Sequence, residues 1–135
     1  MSTSSPPGSN RPLSPFMIGP YYRPQLTSVL SITHRITGVF LCLGALTLVV
    51  GCIALASGPA SWAAFSECLG GPLGMLLVAG SVLALWFHFF NGIRHLFWDV
   101  GSGLSLPSSY RSGYLVLVGA ALAAAANLWL IYGRA

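Results

Sequence analysis

Two short segments hold most of the residues able to do chemistry. The first is Ser31-Ile32-Thr33-His34-Arg35-Ile36-Thr37-Gly38. On a helix, Ser31, Arg35 and Gly38 stand at i, i+4 and i+7 and share one stripe. That stripe offers a hydroxyl, a permanent cation and a patch of bare backbone. A quinone needs these things: hydrogen-bond partners at its carbonyl oxygens and positive charge near its reduced, anionic forms. The plainer role for Arg35 is to extend towards lipid headgroups without touching any ligand.

The second segment is His88-Phe89-Phe90-Asn91-Gly92-Ile93-Arg94-His95. His88 and His95 are seven positions apart, hence near one helix face and separated by about 10 Å of rise. This suits a haem b, with His88 as a neutral imidazole ligand to iron and Arg94, His95, His34 and Arg35 available to the propionates. Axial ligand identity and neighbouring charge are what a protein uses to tune such a group. Gly92, one turn beyond His88, leaves room for a flat macrocycle against the backbone. The alternative for His88 is a buried histidine bonded to a neighbouring helix. His34 and His95 lie too shallow to be a second axial ligand, so a bis-histidine haem would take its other ligand from another chain.

The elements that must position these groups are apolar. Of 135 residues, 55% are hydrophobic and only 6% charged, where a soluble domain carries about a quarter. Such a chain cannot cover a water-facing surface. There is no lysine, and the formal charge of +4 comes from scattered arginines, which read as topology determinants rather than a nucleic-acid patch. Three long apolar runs each come to about the 20 residues needed to span a bilayer or more. The sequence therefore predicts an all-α membrane protein with spans over about 27–57, 72–98 and 113–132, forming a transmembrane domain over 26–135. Residues 1–25 form a proline-rich tail and interfacial segment, with Phe16, Tyr21 and Tyr22 at headgroup level. The stretches Gly58 to Gly71 and Asp99 to Gly113 read as linkers. Arg11, Arg23 and Arg111, with Arg35 and Arg94 near helix ends, fall on one side, against Arg134 and Glu67 on the other. Positive residues favour the inside, so the N-terminus is expected there.

Other polar positions read as structural. Cys42, Cys52 and Cys68 lack metal or disulfide spacing and are expected to be small packing residues. Asn127 is expected to make an interhelical hydrogen bond, and Asp99 to be a solvated helix-end acid. Trp86, Trp98, Trp129 and Tyr132 read as packing and interfacial anchors. Gly38, Gly44 and Gly51 should allow close helix approach along the first span.

At these residues the sequence resembles the cytochrome b subunits of succinate dehydrogenase, the larger of that complex's two membrane anchors. The likeness rests on Arg11-Pro12-Leu13-Ser14-Pro15, on Ser31 through Gly38, and on His88 through Asn91-Gly92-Ile93-Arg94-His95 to Trp98-Asp99. It covers essentially the whole chain. Phe16 to Arg23 departs from the commoner pattern, in which a histidine often follows Ser-Pro. The resemblance implies that His88 is the axial haem ligand from this chain, facing a histidine of the smaller anchor subunit in a shared helical bundle. It places His34, Arg35 and His95 around the propionates, and Ser31, Arg35 and Ile32 at a ubiquinone site. Expected partners are the iron–sulfur, flavoprotein and small membrane-anchor subunits, with ubiquinone and membrane lipids.

The chain has no flavin motif and no iron–sulfur cysteine pattern, so it is expected to contribute to succinate:quinone oxidoreduction without oxidising succinate itself. Fumarate reduction is the same chemistry in reverse. The short tail without an arginine-rich presequence points to a bacterial inner membrane rather than a mitochondrial one. The competing class is a membrane scaffold or small transporter subunit without cofactor, using Arg35, His88 and Asn127 to bind a partner or pass ions.

Overall fold

The computed structural model describes residues 23–133. The Arg11–Pro15 motif, Phe16, Tyr21, Tyr22 and Arg134 lie outside them. Among the described residues the chain is helical throughout, with α1 (Leu26–Ser57), α2 (Pro59–Gly70), α3 (Pro72–Asp99) and α4 (Leu106–Tyr132). Three of these, α1, α3 and α4, are long and apolar enough to cross a membrane, as the composition requires. They hold 32, 28 and 27 residues. At about 1.5 Å per residue each outruns a hydrocarbon core of roughly 30 Å, so their ends reach the headgroup region. The start of α1, the end of α3 and the start of α4 meet at one end of the bundle, and both motifs sit there.

Two stretches expected to be linkers contain helix. Residues 59–70 form α2, which opens on Pro59 directly after Gly58 at φ 115°. The Ser-Gly-Pro signal that stops one helix starts the next, because proline suits a first helical turn and glycine tolerates the positive φ between them. Likewise α4 begins at Leu106 after Ser105, with Pro107 in its first turn. The polar residues from Ser108 to Gly113 therefore belong to a helix rather than to a loop.

The central helix is α3, which packs against both α4 and α1, while α1 meets α4 only lightly. Small residues set these approaches, as they do where lipid supplies no hydrophobic drive for helix association. A Cβ on Gly44 would stand 3.1 Å from Ser81 Oγ, and one on Gly51 would stand 2.9 Å from Phe65 of α2. The seam between α1 and α4 closes where Gly113 faces Leu30 and Leu26. Only Leu30 and Gly51 of α1 are buried, so this helix offers most of its surface to whatever surrounds the chain. The cysteines follow from that. Cys42, Cys52 and Cys68 are all exposed rather than packed in the interior, because two of them lie on the outward faces of α1 and the third on α2.

The turn from α2 to α3 gives a test of this packing. A Cβ at Gly74 would run into the backbone of Leu69 and Cys68, whereas at Gly113 the first obstacle is the flexible Cδ1 of Leu30 at 2.8 Å. Gly74→Ala is expected to destabilise by about 1–3 kcal/mol, as overpacking against rigid atoms does, and Gly113→Ala by less. Thermal melting of the purified protein in detergent should rank them in that order.

Candidate functional site

Three imidazoles gather in the seam between α1 and α3, two of them stacked. The rings of His34 and His88 lie parallel, with centroids 3.8 Å apart and an 11° interplanar angle. His95, two turns below His88 on α3, has its centroid 5.1 Å from that of His34 and meets Trp98 edge-on. Gly38 makes the arrangement possible, since a Cβ there would stand 3.0 Å from His88 Cε1. Nδ1 of His88 lies 3.0 Å from the His34 carbonyl and 3.3 Å from Thr37 Oγ1. A carbonyl can only accept, so Nδ1 carries a proton, and in the neutral ring that leaves the lone pair on Nε2. Thr37 Oγ1 lies 2.9 Å from the carbonyls of both Thr33 and His34 and shares its one proton between them, which fixes it beside the ring. Nδ1 of His34 is buried without a partner. Among the described residues no cluster of His, Cys, Asp or Glu side chains converges as a metal-ion site.

A groove of about 580 Å³ opens beside this stack, at the same end of the bundle. Ser31, Ile32 and Arg35 all line it, as do Thr27 and Ser28 one turn earlier on α1. These residues form two adjacent i, i+4 rows on the helix surface, one hydroxyl-rich and ending in Arg35, the other ending in Ile32. The facing wall is Trp98 at the end of α3, with Leu104, Leu106 and Ser109 from the turn and the start of α4. Gly103, at φ 76°, turns its carbonyl to accept from both Trp98 Nε1 at 3.3 Å and Ser109 Oγ at 3.2 Å. The stripe read from the sequence thus divides: Ser31 and Arg35 face the groove, while Gly38, deeper along α1, receives the His88 ring.

Arg94 is not part of the imidazole stack. It is 4% exposed and turns towards α4, where Nε donates to Ser112 Oγ at 3.0 Å and Nη2 to the Ser109 carbonyl at 3.1 Å. Nη1 donates to Asn91 Oδ1 at 3.4 Å, and Asn91 Nδ2 donates to the Leu30 carbonyl at 3.4 Å. The guanidinium carbon sits 3.9 Å above the Trp98 ring centroid, a cation–π contact. With its donors committed in this way, Arg94 is placed away from the propionate role expected of it. The polar bridge between helices expected of Asn127 is made by Asn91, which is wholly buried; among the described residues the half-buried Asn127 takes no hydrogen bond. Sequence reasoning missed Trp98 and Ser109 as groove walls. The signal was there in the i, i+3, i+7 spacing of Asn91, Arg94 and Trp98, a polar stripe distinct from that of the histidines.

Taken together, the fold is that of a transmembrane helical subunit with its polar chemistry gathered at one end. The chain belongs to the succinate dehydrogenase/fumarate reductase transmembrane subunit family, which residues 8–127 match. It is 33% identical over 123 residues to the succinate dehydrogenase cytochrome b556 subunit of Paracoccus denitrificans, covering 91% of this chain and 93% of that protein. The cytochrome b556 subunit of Rickettsia conorii is 39% identical over 84% of this chain and 87% of its own length. The human mitochondrial cytochrome b560 subunit is 40% identical over 82% of this chain, which spans 66% of that protein.

The Asn91 bridge makes its own prediction. Asn91→Leu removes an acceptor from a buried cation and the donor from the Leu30 carbonyl. Leaving such groups unpaired costs about 1–3 kcal/mol, so the variant should melt at a clearly lower temperature in detergent. An unchanged melting curve would mean that water or another chain replaces the amide.

Proposed function

We propose that this chain is the membrane-anchor cytochrome b subunit of a succinate dehydrogenase, holding haem b and forming part of a ubiquinone-reduction site. The observation that carries this reading is the adjacency, at one bundle end, of a ligand-ready imidazole and a cationic, hydroxyl-lined groove. His88 gives its Nδ1 proton to a backbone carbonyl, the arrangement that orients a metal-binding imidazole and leaves Nε2 for the metal.

The residues present fit a haem. His88 would be the axial ligand through Nε2, with its ring seated against Gly38. His34, whose Nδ1 is buried and unpartnered, and His95 beside it would serve the propionates, together with Arg35. One face of the iron would then be left for a histidine from the smaller anchor subunit. When bound, such a group stores and passes single electrons.

Ubiquinone is the substrate proposed for the groove. Its reduction to ubiquinol takes two electrons and two protons, the electrons arriving from succinate through the flavoprotein and iron–sulfur subunits. The Ser31 hydroxyl would donate to one ring oxygen. Arg35 would stabilise the negative charge that grows there before protonation, with the advantage of a charge already in place. Ile32 would give the ring an apolar edge. Arg23, Arg35 and Arg111 at this end favour the inner side, and a bacterial inner membrane is the proposed location.

Two measurements test this. Ser31→Ala and Arg35→Ala are each expected to lower succinate:quinone reductase activity about tenfold or more, a loss of roughly 1.4 kcal/mol or more in the transition state. Succinate oxidation by an artificial dye should stay near its starting rate. Equal loss of both activities would count against a quinone role. His88→Ala is expected to abolish or shift the reduced-minus-oxidised b-type absorbance of the assembled complex. An unaltered spectrum would remove His88 as ligand.

A further inference from the structure

The groove is built from three separate elements, and one side chain is tied to all of them. Its α1 wall carries Ser31 and Arg35, its α3 wall is Trp98, and Ser109 comes from α4. Arg94 reaches α4 by donating to the Ser109 carbonyl at 3.1 Å and to Ser112 Oγ at 3.0 Å. It reaches α3's end by lying 3.9 Å over the Trp98 ring centroid. Through Asn91 it reaches the Leu30 carbonyl, the backbone group just before Ser31. All three guanidinium nitrogens are used, in a planar fork that an ammonium cannot imitate.

We propose that Arg94 is a positioning residue for the ring-binding groove. It sets the spacing of Ser31, Trp98 and Ser109, and thereby the affinity for the quinone ring, without touching substrate or haem. This rests on the quinone reading of the groove. A residue acting this way contributes binding shared by ground and transition states, so its loss raises KM and spares kcat.

The test uses the whole complex in membranes, with a short-chain ubiquinone as probe. Arg94→Lys keeps the charge and loses the fork, and Trp98→Leu removes the aromatic wall. Each is expected to raise KM for the quinone about tenfold, with kcat within about twofold and with dye reduction and the b-type spectrum unchanged. Trp98→Phe keeps an aromatic face under the guanidinium and should restore most of the affinity. An assembled Arg94→Lys complex with the original KM overturns the proposal. So does a shifted haem spectrum at unchanged KM, the result expected of a propionate partner. Should Arg94→Lys fail to assemble, Trp98→Leu decides, and an unchanged KM there overturns it too. Ser31→Ala run in parallel separates the two levels. If it also leaves quinone reduction untouched, the groove itself is misassigned. If it impairs reduction while the Arg94 and Trp98 variants do not, only the positioning role fails.

Discussion

A guanidinium shut away from water must be satisfied by protein, and most of the architecture at this end of the bundle follows from how Arg94 meets that demand. Its partners are neutral: a carbonyl, a hydroxyl, an amide oxygen and an indole face. A buried charge removed from one partner is costly because nothing else in hydrocarbon can replace it. The helices that supply those partners are therefore held at fixed separations, and the residues next to them inherit that precision. Ser109 and Trp98 line the groove and hold the cation at once. Leu30, whose carbonyl ends the chain of bonds, immediately precedes Ser31.

The same helix presents two polar stripes that face different neighbours. His88, Gly92 and His95 lie along one stripe and Asn91, Arg94 and Trp98 along another, each residue displaced by about 100° from its neighbour in sequence. The first stripe faces α1 and stacks His88 on His34 with His95 tilted beside it, with Gly38 and Gly92 as the gaps between bulky rings. The second faces α4 and holds the buried bonds. His95 and Trp98 touch edge-on where the two stripes meet. The imidazole seam and the groove are thus physically joined, through an aromatic contact, at the level where both approach the membrane surface.

How much of this was legible depends on which constraint wrote the residue. Span number was legible because lipid excludes charge, and an uninterrupted apolar run of that length is stable in few settings besides a bilayer. The co-location of Ser31 and Arg35 was legible because helical spacing puts them on one row, whereas Ile32 joined them only through the family resemblance. The α2 helix was not, because Ser57-Gly58-Pro59 both ends and begins a helix, and Trp62 and Glu67 look like loop residues at an interface. The direction of Arg94 was hidden for a different reason. Beside a histidine in sequence, it reads as sharing the histidine's surroundings, yet adjacent helical positions point apart. Its direction is decided by α4, whose polar first turns resemble a linker, so its acceptors become visible only once that helix starts at Leu106. The exposed cysteines teach the same lesson in reverse: composition says a thiol suits an apolar setting, but not whether this chain or its surroundings provide it.

An imidazole fixed through Nδ1 has one nitrogen left to offer, and an iron held by it would take its second histidine from elsewhere. The described residues give no candidate, for His34 lies flat against His88 and His95 is two turns away along α3. Nor is α1 covered by its own chain, with apolar side chains such as Val39, Leu46 and Ile53 more than half exposed. In a soluble protein such a surface would be a liability. In a membrane it costs little in itself, since lipid tails solvate it as well as another helix would, and specific association has to come from close packing and polar contacts. On the proposed haem reading, an iron shared with a second chain would supply that specificity. A partner helix bringing a histidine to an iron held by His88 would gain a strong directional bond that plain van der Waals contact cannot give, and cofactor binding and subunit assembly would become one event. Such coupling would let a chain this small leave so much of its first helix bare.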